Sequence, residues 1–310
     1  MVDYTIDSET FETLAREIAD LKRERKAIIL AHYYQRPEVQ DVADFVGDSL
    51  QLSRQAAGTD AEVVVFCGVH FMAESAAILS PEKTVLLPEA EAGCPMAEMV
   101  DAESLRLRKR SLPGSKVVCY VNSSAEVKAE CDVCCTSSNA AKIVESLGTS
   151  PVLFVPDKNL GLYVSEKLGK PMDLWPGFCR THDRLASSDI TEARRAHPRA
   201  KVIVHPECRE EVWRLADFVG STAGLIRYAQ TTEAEEFIVG TESGILHQLQ
   251  TTCPGKKFYL ASEKLVCQNM KATTLVKVRD ALRNLSPRIT VAEETRLKAK
   301  EALDRMLELG

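Results

Sequence analysis

Three stretches of this chain repeat one pattern, and the repetition limits the fold more than any other feature. The first, from Ala27, reads AIILAHYYQRPEVQDVADFVGDSLQLSRQA. The second, from Lys116, reads KVVCYVNSSAEVKAECDVCCTSSNAAKIVESL, and the third, from Lys201, reads KVIVHPECREEVWRLADFVGSTAGLIRYAQ. Each opens with an apolar run and closes it with a polar residue: His32, Asn122 or His205. Each continues through a helical stretch and a second short apolar run into a small hydroxyl-rich turn holding Ser49, Ser137 or Ser221. The polar residue precedes its serine by 17, 15 and 16 positions. Ordered spacing of this kind is the mark of an internal structural repeat.

The apolar runs at 27–30, 63–66, 85–87, 117–121, 152–155, 202–204 and 237–239 predict strands buried on both faces. Helical patterns, such as 138–147 and 210–218, separate them. Alternating strands and helices define an α/β fold with parallel sheets. The predicted units are 1–110 with an N-terminal helix, 111–196, and 197–310 with a C-terminal helix. The first 27 residues read as a charged amphipathic helix and not as a signal peptide. No apolar run reaches the roughly 18 residues of a membrane helix. A formal charge of −6 argues against general nucleic-acid binding. A cytoplasmic protein with no membrane and no nucleic-acid partner is the expectation.

Ligands of parallel α/β sheets bind beyond the carboxyl ends of the strands. Three such ends, each with a polar residue and a hydroxyl turn, predict one central cleft for an anion. Ser49, Ser137 and Ser221 can each be read as a helix N-cap or as an anion contact. His32 and Tyr34, Tyr120 and Asn122, and His205 and Glu207 stand two residues apart, so each pair faces one way on an extended strand end. Glu207 is the only carboxylate among these pairs. Burial among anionic groups would raise its pKa and suit it to act as a base, whereas the plainer reading makes it a cap for the helix that follows.

Ten cysteines are unusual for a chain in a reducing compartment, where disulfides are rare. One falls at a similar distance from each strand-end polar residue: Cys94 at 62 from His32, Cys179 at 57 from Asn122, and Cys267 at 62 from His205. Three convergent thiolates suit an iron–sulfur cube with one open iron. A zinc ion held by three cysteines and His182 is the alternative. Cys131, Cys134 and Cys135 have the short spacing of a redox or metal motif, but overlap the second short strand and read mainly as core.

The motifs HYYQ, GDSL, YVNSSAEVKAECDVCCTSSNA, WPGFCRTHD, HPECREEV, FVGSTAGLI, VGTESGILHQL and VCQNMK together resemble those of the quinolinate synthase family, over nearly the whole chain. The resemblance implies three similar αβα domains about a pseudo-threefold axis with the active site at the centre. It implies a [4Fe-4S] cluster on Cys94, Cys179 and Cys267. It further implies condensation of iminoaspartate with dihydroxyacetone phosphate to quinolinate, with L-aspartate oxidase supplying the imine. The matching substrate positions are His32, Tyr34, Ser49, Tyr120, Asn122, Ser137, His182, His205, Glu207, Ser221 and Thr222. Glu207, Tyr34 and His205 are the candidates for proton transfer. The rivals are another iron–sulfur dehydratase of small dicarboxylates, and a metal or redox sensor built on Cys131, Cys134 and Cys135.

Overall fold

A computed structural model describes residues 6–309 of the chain; the first five residues of the expected N-terminal helix lie outside the described residues. Twelve strands form three four-stranded sheets, every pair parallel. They are β1 (Ala27–His32), β2 (Phe45–Gly47), β3 (Val63–Cys67), β4 (Thr84–Leu86), β5 (Lys116–Tyr120), β6 (Val133–Cys135), β7 (Val152–Val155), β8 (Asp173–Leu174), β9 (Lys201–Val204), β10 (Phe218–Val219), β11 (Glu236–Gly240) and β12 (Lys257–Leu260). The strand orders are β2-β1-β3-β4, β6-β5-β7-β8 and β10-β9-β11-β12, one topology used three times. The central strands are valine- and isoleucine-rich and buried throughout, as in β3 and β7. Parallel strands covered by helices on both faces need that composition.

A repeated carboxylate sets the register of each first pair. Asp44, Asp132 and Asp217 each accept a 2.8 Å hydrogen bond from the backbone N–H fifteen residues earlier, that of Ile29, Val117 and Val202. Each aspartate's own N–H returns to the carbonyl of that same residue. Each also meets a lysine: Lys22, Lys116 or Lys201. The aspartate therefore closes the turn into the second strand of its sheet. In this alignment Cys131-Asp132-Val133-Cys134-Cys135 stands where Ala43-Asp44-Phe45-Val46-Gly47 and Ala216-Asp217-Phe218-Val219-Gly220 stand. Cys134 is the register partner of Cys119 and Cys135 that of Tyr120, and both are fully buried. This tract is sheet core. Cys119 contacts Cys131 and Cys134, so the thiols that gather are not the three adjacent in sequence.

Three expectations change. The helix expected over 210–218 runs only over Glu210–Trp213, because Asp217 must turn back to Val202 and Phe218 already belongs to β10. The helix expected over 138–147 covers Ala140–Ser146. The C-terminal segment, counted from sequence with the third unit, packs elsewhere. Helix Leu275–Asn284 lies on the N-terminal helix Ser8–Arg25, and helix Glu293–Leu309 lies on β6 and its neighbours. Between them Leu87 donates to Pro287 and Ile289 to Val85, extending the β4 edge.

Replacing Asp132 by alanine leaves the Val117 N–H without its carboxylate in a part-buried setting. Loss of such a partner typically costs about 1–3 kcal/mol. The expected outcome is a lowered thermal midpoint for Asp132→Ala, and likewise for Asp44→Ala and Asp217→Ala. Unchanged midpoints in all three variants would show that the repeated aspartate has no structural role.

Candidate active site

The carboxyl ends of all three sheets open on one cavity of about 230 Å³. Of the fourteen residues singled out from sequence, all but Ser221 line it. The first sheet contributes His32 and Tyr34 at the end of β1 and Ser49 after β2. The second contributes Tyr120 and Asn122 at the end of β5 and Ser137 after β6. The third contributes His205 and Glu207 after β9 and Thr222 after β10. Cys94, Cys179, His182 and Cys267 come from the loops that follow the edge strands β4, β8 and β12.

The hydroxyl turns differ in what they do. Ser221 is an N-cap, its Oγ accepting from the Gly224 N–H at 3.1 Å. Ser49 is not, because Asp48 caps that helix in a capping box with Gln51. Ser137 lies one turn before its helix and meets His205 Nε2 at 3.1 Å. Ser49 and Ser137 thus keep hydroxyls for the cavity, while Ser221 has committed its own.

His32 and His205 occupy equivalent places with equivalent bonds. His32 Nδ1 accepts the N–H of Tyr34, and His205 Nδ1 accepts the N–H of Glu207. Burial pushes both imidazoles down to about 3. Both are neutral at pH 7, and with Nδ1 accepting, the proton sits on Nε2. The two histidines therefore present N–H donors and carry no charge. Asn122 keeps a buried Oδ1 with no partner.

Glu207 departs from the sequence expectation. Burial alone would raise its pKa, but two donors outweigh it and hold the carboxyl below its ordinary value. The His182 Nδ1–H lies 2.6 Å from Oε2, and the Tyr120 hydroxyl lies 2.6 Å from Oε1. Nor does Glu207 cap the next helix, whose N-cap is Arg209 with no side-chain bond. It is an ionised carboxylate fastened at both oxygens.

Local sequence explains the cysteine loops. Gly177 passes so close to Pro156 that a Cβ would meet its carbonyl oxygen at 2.5 Å, so the turn before Cys179 requires glycine. The Asn269 amide donates to Gly93 O at 2.7 Å, joining the Cys267 loop to the Cys94 loop. Trp175 Nε1 donates to Met99 O at 2.7 Å, joining the Cys179 loop to that same segment. Burial raises all three thiols: Cys94 to about 12, Cys179 well above its ordinary value, and Cys267 upward. His182 Nδ1 also stands 3.2 Å from Cys179 Sγ. Cys179, His182 and Glu207 place ligand atoms within 4.8 Å of one another, a candidate metal-binding group.

Several residues were not singled out from sequence. Thr241 links His182 to Tyr34. Glu242, fully buried, pairs with Lys271 at 3.0 Å, and accepts from the N–H groups of Cys267 and Gly244. Lys271 also donates to Tyr34 O, so this ion pair ties a cysteine loop to the end of β1. Asp48 accepts from Ser138 at 2.5 Å and bridges two repeats. Arg180 and Arg184, both exposed, are the only lysine or arginine side chains lining the cavity among the described residues. A motif such as Thr-Glu-Ser-Gly after a strand offers no periodic signal of these roles.

Three parallel α/β sheets that turn neutral donors, a held carboxylate and three thiols into one cavity define an enzyme for a small molecule. The sequence profile of the family described as quinolinate synthetase A protein matches residues 16–308. The chain is 58% identical to a quinolinate synthase of Desulforudis audaxviator over 299 residues, 96% of this chain and 99% of the relative. It is 58% identical to that of Methanoregula boonei over 96% of this chain and 98% of the relative, and 54% identical to that of a Geobacter species over the same shares. The chain belongs to the quinolinate synthetase A family. No helix among the described residues is long and apolar enough to cross a membrane.

The neutral histidines make stability depend on pH. Their folded pKa of about 3 lies below the unfolded value of 6.5. Between those values the unfolded chain binds more protons, so stability is full above about pH 6.5 and falls as pH drops toward 3. Thermal midpoints measured across that range should fall with pH, and less steeply in His32→Asn and His205→Asn. Equal slopes in wild type and both variants would contradict neutral burial of these rings.

Proposed function

We propose that the chain forms quinolinate by condensing iminoaspartate with dihydroxyacetone phosphate. The observation that carries this reading is the convergence of Cys94, Cys179 and Cys267 with Glu207, Ser49, Ser137 and the neutral histidines on one cavity. Three repeats that each supply one strand-end pair and one cysteine are consistent with an approximate threefold arrangement. Iminoaspartate carries two carboxylates and its partner a phosphate. The Nε2–H groups of His32 and His205 and the hydroxyls of Ser49 and Ser137 suit such oxygens without adding a buried cation. Arg180 and Arg184 at the exposed side supply the attraction that draws anions in.

The cofactor we infer is a [4Fe-4S] cluster held by Cys94, Cys179 and Cys267. The fit rests on the donor set: three thiols from three loops cross-braced by Asn269 and Trp175, facing one cavity. Burial keeps these thiols protonated, so loading must release protons. When bound, the cluster would supply a Lewis acid for substrate oxygens from an iron without a protein ligand. His182 is a poor zinc ligand as placed, since Nε2 is engaged by Thr241 and Nδ1 by Glu207.

In this reading the residues move protons and exclude water. The ionised Glu207 accepts a proton as iminoaspartate and the triose join, and gives it up as a hydroxyl leaves. Tyr34 and His205 stand at the same cavity as hydroxyl and N–H donors. An imine hydrolyses in water, so a nearby L-aspartate oxidase is the proposed source. A cytoplasmic setting suits reduced thiols.

Two measurements test this reading. Single Cys94→Ser, Cys179→Ser and Cys267→Ser variants, reconstituted without oxygen, should lack a full complement of iron and sulfide, whereas Cys131→Ser and Cys134→Ser should retain it. A stable four-iron cluster in any of the first three overturns the ligand assignment. Glu207→Gln keeps the shape and removes the base. Its turnover should fall by about 10²–10⁴, with a small dicarboxylate bound as tightly as by wild type. Near-normal turnover would remove Glu207 from the chemistry.

A further inference from the structure

The register aspartates Asp44, Asp132 and Asp217 align the turns that follow the second strands. Four residues on from each stands Asp48, Thr136 or Ser221, and five residues on stands Ser49, Ser137 or Thr222. Ser49, Ser137 and Thr222 all line the cavity. The residue before each of them caps the backbone that follows. Asp48 Oδ1 accepts from the Gln51 N–H at 3.0 Å, Ser221 Oγ from the Gly224 N–H at 3.1 Å, and Thr136 Oγ1 from the Ser138 N–H at 3.2 Å. Each repeat thus sets a cap first and a cavity hydroxyl second. Two repeats cap with a hydroxyl, and the first alone uses a carboxylate.

Capping does not require that charge, since serine caps a helix about as well as aspartate. Asp48 also lines the cavity and is only 5% exposed. A negative charge beside a cavity for anions works against their binding. What the carboxylate adds is a second oxygen. Oδ2 accepts from the Ser138 hydroxyl at 2.5 Å, from ninety residues further along the chain. That length belongs to a hydroxyl bonded to an ionised oxygen, the stronger class of hydrogen bond. A serine at this place would have one oxygen, already used by the Gln51 N–H.

The bond joins two particular points. Asp48 precedes Ser49 and Ser138 follows Ser137, so it ties the first sheet to the second at the immediate neighbours of two cavity hydroxyls. Ser138 does not itself line the cavity, and it is exposed. Its hydroxyl can therefore be removed without touching the core or the cavity wall.

We propose that the bond between Asp48 and Ser138 is a spacer between repeats: these two positioning residues fix the separation of the Ser49 and Ser137 hydroxyls, so that both can hold one anionic ligand. The inference rests on the reading of the cavity as a site for anionic substrates. It involves no covalent or redox step.

The test is calorimetric titration of the full chain with inorganic phosphate and with succinate, a plain dicarboxylate. Ser138→Ala removes the spacer and leaves the cap; Asp48→Ser does the same from the other side, copying the third repeat. Each should weaken the binding of at least one probe by about tenfold. Ser138→Thr, which keeps the hydroxyl, should bind within about twofold of wild type, and the Asp48→Ser/Ser138→Ala double variant should bind no more weakly than the single ones. The decisive comparison is with Ser49→Ala. Once that hydroxyl is gone its spacing has no effect, so Ser138→Ala should cost little more in its background, whereas general loosening of the fold would add in full. With substrates, KM should rise about tenfold in Ser138→Ala with kcat within about threefold. Wild-type affinity for both probes in Ser138→Ala, a threonine variant as weak as the alanine one, additivity with Ser49→Ala, a fall in kcat at unchanged KM, or a wild-type protein that binds neither probe each overturns the proposal. If Asp48→Ser fails to fold, the Ser138 variants and the Ser49→Ala cycle decide it alone. Should the wild-type protein bind the probes and make no quinolinate, the functional reading fails, while the affinities still decide the spacer.

Discussion

One buried negative charge organises the centre of this molecule. The Glu207 carboxylate, from the third repeat, is held by Tyr120 of the second and by His182 from the loop beyond it. His182 reaches Thr241, Thr241 reaches Tyr34, and Tyr34 belongs to the first repeat. A carboxylate this buried is tolerable only when both oxygens are bonded. Its partners must therefore arrive from different sheets at once, and in doing so they hold the three strand ends around one cavity. Break any one link, and the others keep a buried polar group without a partner.

The same low-dielectric setting governs the chemistry available there. Burial leaves His32 and His205 as neutral donors that line the cavity. It also raises the pKa of the Cys94, Cys179 and Cys267 thiols. Among the described residues, positive side chains reach the cavity only at its exposed side, as Arg180 and Arg184. A buried ion pair, Glu242 with Lys271, ties the Cys267 loop to Tyr34.

Much of this was legible in the residues. Strand-end polar groups and turn hydroxyls stand out because a parallel strand is otherwise apolar, and a repeat shows them three times. Edge strands were harder. Asp173–Leu174 has two residues and Lys257–Leu260 is only half-buried, so neither carries the apolar run of a central strand. The repeated Asp44, Asp132 and Asp217 were in plain view, but an aspartate before a short apolar run looks like any turn residue until its partner fifteen positions back is known. The Cys131–Cys135 tract drew attention by composition, and the repeat register shows it to be ordinary core.

The sequence by itself determined the threefold α/β plan, the residues that end its strands and the one cysteine per repeat, because these follow from short-range pattern and from spacing. Tertiary structure alone decided how those residues answer one another. Whether Glu207 is raised or lowered depended on His182, twenty-five positions away, and on a tyrosine from another sheet. Whether a serine caps a helix or faces the cavity depended on a neighbour such as Asp48. The C-terminal helix chose the second repeat over its own for the same reason. Charge, burial and packing are sums over space, and the chain order of residues does not contain them until the sheets are brought together.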